Sequence, residues 1–211
     1  MKIALVGATG QIGRQIAATT LTRGHALTAI VRKDTDLPAE LAGAQVRVVG
    51  LADATALAAA ARGHDVLASA FGPGAADPST LVDVTRQLIA AARASGVRRL
   101  VVVGGAGNLE LPSGGKLMDA PAFPAAYKPY ALAHGEALAL LRAADDLDWT
   151  FYAPPAEIGP GERRGGFRTG ARTLISAADG HSRISYPDYA DAFVAEIETP
   201  RFVKQVATVA Y

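Results

Sequence analysis

The chain has 211 residues, half of them hydrophobic, and a formal net charge of +1. That length suits one domain with a sizeable core, and the near-neutral charge gives no electrostatic case for nucleic acid or an anionic membrane as partner. The absence of cysteine excludes disulfides, thiolate metal sites and a cysteine nucleophile. Met1-Lys2 runs straight into apolar sequence, so the expectation is no signal peptide, no bilayer span and a cytoplasmic location.

Lys2 to Val6 is a short apolar run that predicts a buried parallel strand. It breaks into Gly7-Ala8-Thr9-Gly10-Gln11-Ile12-Gly13, and a helical apolar period follows through Ile16, Ala17, Thr20 and Leu21 to Gly24. Strand, glycine turn and helix together predict a dinucleotide site. In such a turn one glycine allows the tight bend, one lets backbone approach the pyrophosphate, and one lets helix and strand pack closely. The phosphates sit against the unpaired N–H groups of the helix start. The spacing here is G-x-x-G-x-x-G, and the expected cofactor contacts are Gly7, Thr9, Gly10, Gln11, Ile12 and Gly13.

Ala26 to Val31 and Gln45 to Val49 predict the second and third strands, with a short helix over Thr55 to Ala61. Arg32 follows the second strand, about 20 residues past the glycines, where an acidic residue would hold the ribose of NAD. A guanidinium there suits a 2′-phosphate, so NADPH is the expected cofactor, with NADH possible. Asp65 to Ala70 predicts a fourth strand. Ala70, Phe71 and Gly72 after it are placed beside the ribose and pyrophosphate.

Leu81, Val84, Thr85, Leu88, Ile89 and Ala92 pattern a helix that closes at Ser95-Gly96. Arg99 to Val103 is the fifth strand, and Gly104 and Gly105 follow it. The Gly- and Pro-rich stretch 104–128 reads as an active-site loop. Residues 129–144 form a helix and Trp149 to Tyr152 a sixth strand, after which Pro154 and Pro155 are placed at the nicotinamide end with Gly104 and Gly105. Arg172 to Ser176 and His181 to Ser185 read as short strands around Asp179-Gly180, followed by a helix over Tyr186 to Glu198 and a strand over Gln205 to Tyr211. The alternation predicts an α/β fold: a Rossmann-like doubly wound parallel sheet in one domain over 1–211, with 153–211 supplying a small substrate-side extension.

Tyr130 and His134 are four apart on a helix and share an inward face, which makes them the candidate catalytic pair, a proton donor and its modulator. Glu157 is a further candidate acid or base. Arg163, Arg164 and Arg168 could reach an anionic substrate. No metal-ligand spacing, nucleophile elbow or phosphate-loop lysine is present.

GATGQIG after the first strand, VR after the second, FGP after the fourth and VVVGGAG at the fifth resemble the atypical short-chain dehydrogenase/reductases. LDWTFYAPP, GERRGGFRTG and ADGHSRISYPDYADAFVAEIE resemble the NAD(P)H-flavin reductases related to biliverdin reductase B. The resemblance covers essentially the whole chain. It implies a Rossmann fold, a nicotinamide cofactor and reduction of flavins or other flat conjugated acceptors, with the flavin a substrate rather than a tightly bound cofactor. The sequence departs from the pattern at several points. Tyr130-x-x-x-His134 lacks the superfamily's lysine, Gly105-Ala106 stand where a serine or threonine is common, and Ala156-Glu157 replace a histidine. Leu51 takes the place of an acidic residue, with Asp53 as a nearby substitute beside the adenine. The partner implied is a small flat aromatic acceptor; the oligomeric state stays open. A quinone or carbonyl reductase using Tyr130, and a dinucleotide-binding redox sensor without turnover, are the alternatives.

Overall fold

The structure, a computed structural model, describes residues 1–74 and 77–211. Strand β1 (Lys2–Val6) leads into helix α1 (Gln11–Thr22), then β2 (Ala26–Val31), β3 (Gln45–Val48), α2 (Ala54–Ala61), β4 (Val66–Ser69), α3 (Thr80–Ser95) and β5 (Arg99–Val103). Helix α4 (Lys128–Arg142) and β6 (Asp148–Ala153) follow. The remainder holds β7 (Glu157–Gly159), β8 (Arg168–Ala171), β9 (Arg183–Ser185), α5 (Tyr186–Glu198) and β10 (Gln205–Ala210).

The main sheet runs β3-β2-β1-β4-β5-β6-β10-β8. Its strands are parallel except β8, which pairs antiparallel with β10 along the edge. The order reverses between β1 and β4, and that crevice is where a doubly wound sheet receives a dinucleotide. Strands β1, β4 and β5 are almost wholly buried, because both sheet faces are covered. One face packs Leu57, Leu88, Leu100, Leu138 and Phe151 under α2, α3 and α4. The other packs Ile3, Leu5, Ile16, Tyr189 and Phe193 under α1 and α5.

Polar groups fix the later strands. Glu196 is buried in α5 and accepts from Arg99 at 2.9 Å, from Thr150 at 3.3 Å and from the backbone N–H groups of Arg201 and Phe202 at 3.0 Å each. This ties α5, β5, β6 and the segment leading into β10 together. Removing one member of such a buried network leaves the others unpaired, at a cost of about 3–5 kcal/mol.

The predicted elements hold through β6, with shifts of one or two residues at their ends. The segment 104–128 is not featureless; it carries three short 3₁₀ turns, at Ala106–Asn108, Leu117–Asp119 and Ala125–Tyr127. Beyond β6 the prediction needs correction. The expected strand over 172–176 lies instead at Arg168–Ala171, because Arg172 takes a positive φ of 33° and turns the chain away. The backbone of 172–174 bonds to Glu110, through Glu110 N–H to Arg172 O and Leu174 N–H to Glu110 O, each at 2.8 Å. The turn at Asp179-Gly180 forms, but its flanks do not make a hairpin. The strand after it, β9, pairs in parallel with β7, an element the sequence did not announce.

Candidate active site

At the β1–α1 turn the three glycines divide their work by what surrounds them. Gly7 has a φ of +77°, and a Cβ there would lie 2.7 Å from the Ala70 carbonyl carbon and oxygen. It therefore makes the turn and lies against the end of β4. A Cβ on Gly13 would sit 2.0 Å from Gly7 O, so this glycine permits the close approach of α1 to the turn. Gly10 caps α1 with no side-chain hydrogen bond, and a Cβ there would meet only Gly7 O at 3.5 Å. It is exposed, as is Thr9. The helix start thus keeps N–H groups without a side-chain cap and has no acidic residue in its first turn. That is the condition for holding a pyrophosphate, and the residues present fit the dinucleotide.

Two expected contacts read differently in three dimensions. The Ile12 side chain packs into the α1–α5 core, leaving its backbone for any ligand. Gln11 accepts a 2.5 Å hydrogen bond from the Tyr186 hydroxyl of α5, which anchors its amide over the turn. Arg32 is exposed at the carboxyl end of β2 and makes no ion pair among the described residues, whereas Lys33 lies 3.8 Å from Asp36. Asp53 was expected beside the adenine. Its carboxylate caps α2, accepting from Ala56 N–H at 2.9 Å. After β4, Ala70 N–H donates to Val6 O at 2.8 Å, and the Phe71 ring packs against the α3 side of the core. Gly72 is exposed, with open space where a Cβ would stand.

A cleft of about 1140 Å³ opens on the other half of the sheet, beyond the ends of β5 and β6. Gly105 to Gly107 form its floor. Leu117, Phe123 and Tyr127 line one wall, and Tyr130 and His134 of α4 line the next. Ala156 to Glu162, Arg164, Ile184 and Tyr211 close the far side. The glycines after β5 are explained first by packing. A Cβ on Gly104 would sit 2.2 Å from the Phe151 ring, and one on Gly105 would sit 2.6 Å from His134 Cδ2. Pro154 and Pro155, expected against the nicotinamide, are buried, and the cleft begins at Ala156 after them.

Tyr130 and His134 do share the cleft wall, but they are not hydrogen-bonded to each other. The Tyr130 hydroxyl donates to Gly74 O at 3.1 Å. His134 lies edge-on to Phe151, with ring centroids 6.0 Å apart, and its Nδ1 is buried without a partner. Burial pushes its pKa down to about 4, so the imidazole is neutral at pH 7. Glu157 faces the cleft from β7 and pairs with His181 at 3.1 Å. Of the three arginines of the glycine-rich loop, Arg163 pairs with Asp191 at 2.5 Å and Arg168 donates to the Ser176 and Tyr211 carbonyls. Only Arg164 lines the cleft, with its guanidinium carbon 3.8 Å from the centre of the Tyr211 ring. Among the aromatic side chains nearby, Tyr127 is on the wall, while Phe71 and Phe167 pack against the cores.

Sequence reasoning missed the group that shapes this side of the cleft. Asp188 is fully buried at the start of α5. Its carboxylate accepts from the backbone N–H of Arg164 and Gly165, each at 3.0 Å, and from the Tyr211 hydroxyl at 2.6 Å. Burial alone would raise its pKa; the bonds from Tyr211, Arg164, Gly165 and Ser185 outweigh it and hold the carboxyl below the usual carboxylate range. Ser185-x-x-Asp188 is a helix-start pattern, so the signal was present, but only as a cap. Among the described residues no cluster of His, Asp and Glu could hold a metal ion, and no helix is long and apolar enough to cross a membrane.

A family model described as NAD(P)H-binding matches residues 7–200. A solved structure from Burkholderia pseudomallei, named "putative exported protein", is 50% identical, covers all of both chains and has a TM-score of 0.93. A "putative epimerase" from Bacteroides thetaiotaomicron is 33% identical, with 100% of this chain and 96% of that one covered and a TM-score of 0.91. A "putative NADH-flavin reductase" from Streptococcus pneumoniae is 32% identical, covering 100% and 99%, at a TM-score of 0.86. A glycine turn fit for a pyrophosphate and a match over nearly the full chain agree: the chain belongs to the NAD(P)H-binding family.

Proposed function

We propose that the protein is an NAD(P)H-dependent reductase that passes a hydride to a flavin or a similar flat conjugated acceptor held in the cleft beyond β5 and β6. The similarity to the pneumococcal protein supports this reading. The observation that carries it is the pairing of a roomy, aromatic-walled cleft with a Tyr130 that has no cationic partner among the described residues. A carbonyl reductase needs a strong acid at the oxygen it reduces, and the usual device is a tyrosine activated by a nearby cation. Here the residue one turn on is a neutral imidazole turned against Phe151.

The reduced nicotinamide supplies the hydride when bound. The α1 start and Gly10 would hold the pyrophosphate, and the exposed Arg32 would meet a 2′-phosphate, which favours NADPH. Gly105 to Gly107 give the acceptor a flat floor, and Tyr127 and Phe123 give it aromatic edges. Alignment of the two flat rings would supply much of the rate, and water the remaining proton.

The test is NADPH oxidation with FMN, riboflavin, a naphthoquinone and a simple aldehyde, each under saturating donor. Turnover of the flavins, with the aldehyde inert, is expected. Tight NADPH binding with no oxidation by any flat acceptor would overturn the reductase and leave a non-catalytic sensor.

A further inference from the structure

We infer that Arg164 is a specificity residue of the cleft, presenting an unshared guanidinium to an anionic group, a terminal phosphate, carried by the flat acceptor. The inference rests on the acceptor reading above and adds which acceptors the cleft prefers. Three features carry it. First, Arg164 is held at both ends. Its backbone N–H donates to Asp188 Oδ2 at 3.0 Å, and its guanidinium lies over the Tyr211 ring at 3.8 Å. The ring is itself fixed, because the Tyr211 hydroxyl donates to Asp188 and accepts from Ser185 N–H at 3.1 Å. A flexible cation is thereby pre-ordered, which lowers the entropic cost of binding.

Second, stacking occupies the face of the guanidinium and leaves its N–H edge open for a bidentate contact. Asp188 does not fill that edge, since its oxygens are engaged with backbone N–H groups and hydroxyls. Third, the neighbouring arginines are already paired. Arg163 pairs with Asp191 and Arg183 with Asp179 at 2.9 Å. Among the described residues Arg164 makes no ion pair; Glu162, on the same loop and lining the cleft, makes none with it. The cleft is therefore asymmetric, with an aromatic and aliphatic wall at residues 117–127 and one open cation across from it.

The test uses flavin fluorescence. FMN and riboflavin, which differ by one phosphate, are titrated into the protein saturated with NADP⁺, so that no turnover occurs. Wild type should bind FMN about tenfold or more tightly than riboflavin, the scale of one charge-assisted bidentate contact. Arg164→Gln should erase that preference by weakening FMN alone. Tyr211→Leu, which removes the stacking surface, should reduce it in part, and Arg164→Lys should keep only part of it. NADP⁺ affinity should be unchanged in each variant and serves as the check on folding. Equal affinity for the two flavins in wild type, or equal loss of both in Arg164→Gln, would overturn the inference. The anionic aromatic dye 8-anilinonaphthalene-1-sulfonate separates it from the flavin reading. If neither flavin binds but the dye does, and Arg164→Gln weakens the dye about tenfold, the flavin reading falls and the anion site stands. Dye binding indifferent to Arg164, with no flavin bound, would remove both.

Discussion

At the β1–α1 turn the proposed site is backbone: three glycines, a helix start and the end of β4, all within a short stretch of chain or one strand pairing. Across the sheet, beyond β5 and β6, it is side chains. Tyr130, Glu157, Arg164, Ile184 and Tyr211 come from five separate segments and meet only because α5 and β10 fold back onto the sheet. At Gly7 and Gly13 the first region has almost no freedom, because added atoms collide with main chain. The second is held by a few polar anchors, above all Asp188, and its chemistry can be changed one side chain at a time. In a family whose relatives carry both reductase and epimerase names, this contrast explains how one nucleotide-binding half can serve different reactions.

The sharpest way to break the comparison is within the glycine turn itself. Gly13→Ala puts a methyl 2.0 Å from Gly7 O, against backbone that cannot swing aside, and should cost ~3 kcal/mol or more in urea denaturation. Gly10→Glu meets no such clash and should leave the melting curve nearly unchanged. It should nevertheless weaken NADPH at least about 100-fold by calorimetry, because a carboxylate replaces the space and the positive end of α1 that the pyrophosphate uses. Equal stability of the two variants would mean that the close packing of α1 on the turn is not what Gly13 provides.

The acceptor half should show itself through His134. Burial lowers its folded pKa from 6.5 to about 4. The unfolded chain takes up a proton near pH 6.5 that the folded chain refuses until about pH 4, so acid favours unfolding across that window. This stabilisation is fully present above about pH 6.5 and is lost as pH falls toward 4, by up to ~3 kcal/mol. His134→Leu should flatten that part of the stability–pH profile, and a ¹H–¹⁵N titration should find the ring neutral at pH 6. A ring titrating near pH 6.5 would place it in water and reopen its role as a proton relay.

Arg32→Glu tests whether the nucleotide half reads the 2′-phosphate. NADPH should weaken about 10- to 100-fold and NADH little, measured as the ratio of their dissociation constants. Equal losses would assign Arg32 to the surface alone. The smallest expected change is at Tyr130. Tyr130→Phe removes a hydroxyl that donates to Gly74 O and should leave kcat/KM for FMN within a few-fold of wild type. A general acid would contribute about 10²–10⁴-fold, and a loss of that size with NADPH binding intact would make Tyr130 the proton donor.

The sequence by itself determined the parts of this protein that are local. Apolar runs bounded by glycine specify β1, β4 and β5. The pattern from Leu81 to Ala92 specifies α3, and a tight strand–helix turn requires glycine at 7 and 13 for backbone reasons that apply in any chain. Only the tertiary structure decided the rest. Asp53 caps α2, since a carboxylate at a helix start satisfies backbone N–H groups that would otherwise be left unpaired. Strand β8 ends at Ala171 because Arg172 turns the chain, and Glu110, far away in sequence, pairs with the Arg172 carbonyl and the Leu174 N–H. Arg164 gained its place at the cleft from Asp188 and Tyr211, which no spacing announces. Long-range hydrogen bonds and stacking leave no periodic trace in a sequence, so the half of the site built from them became visible only once the chain was folded.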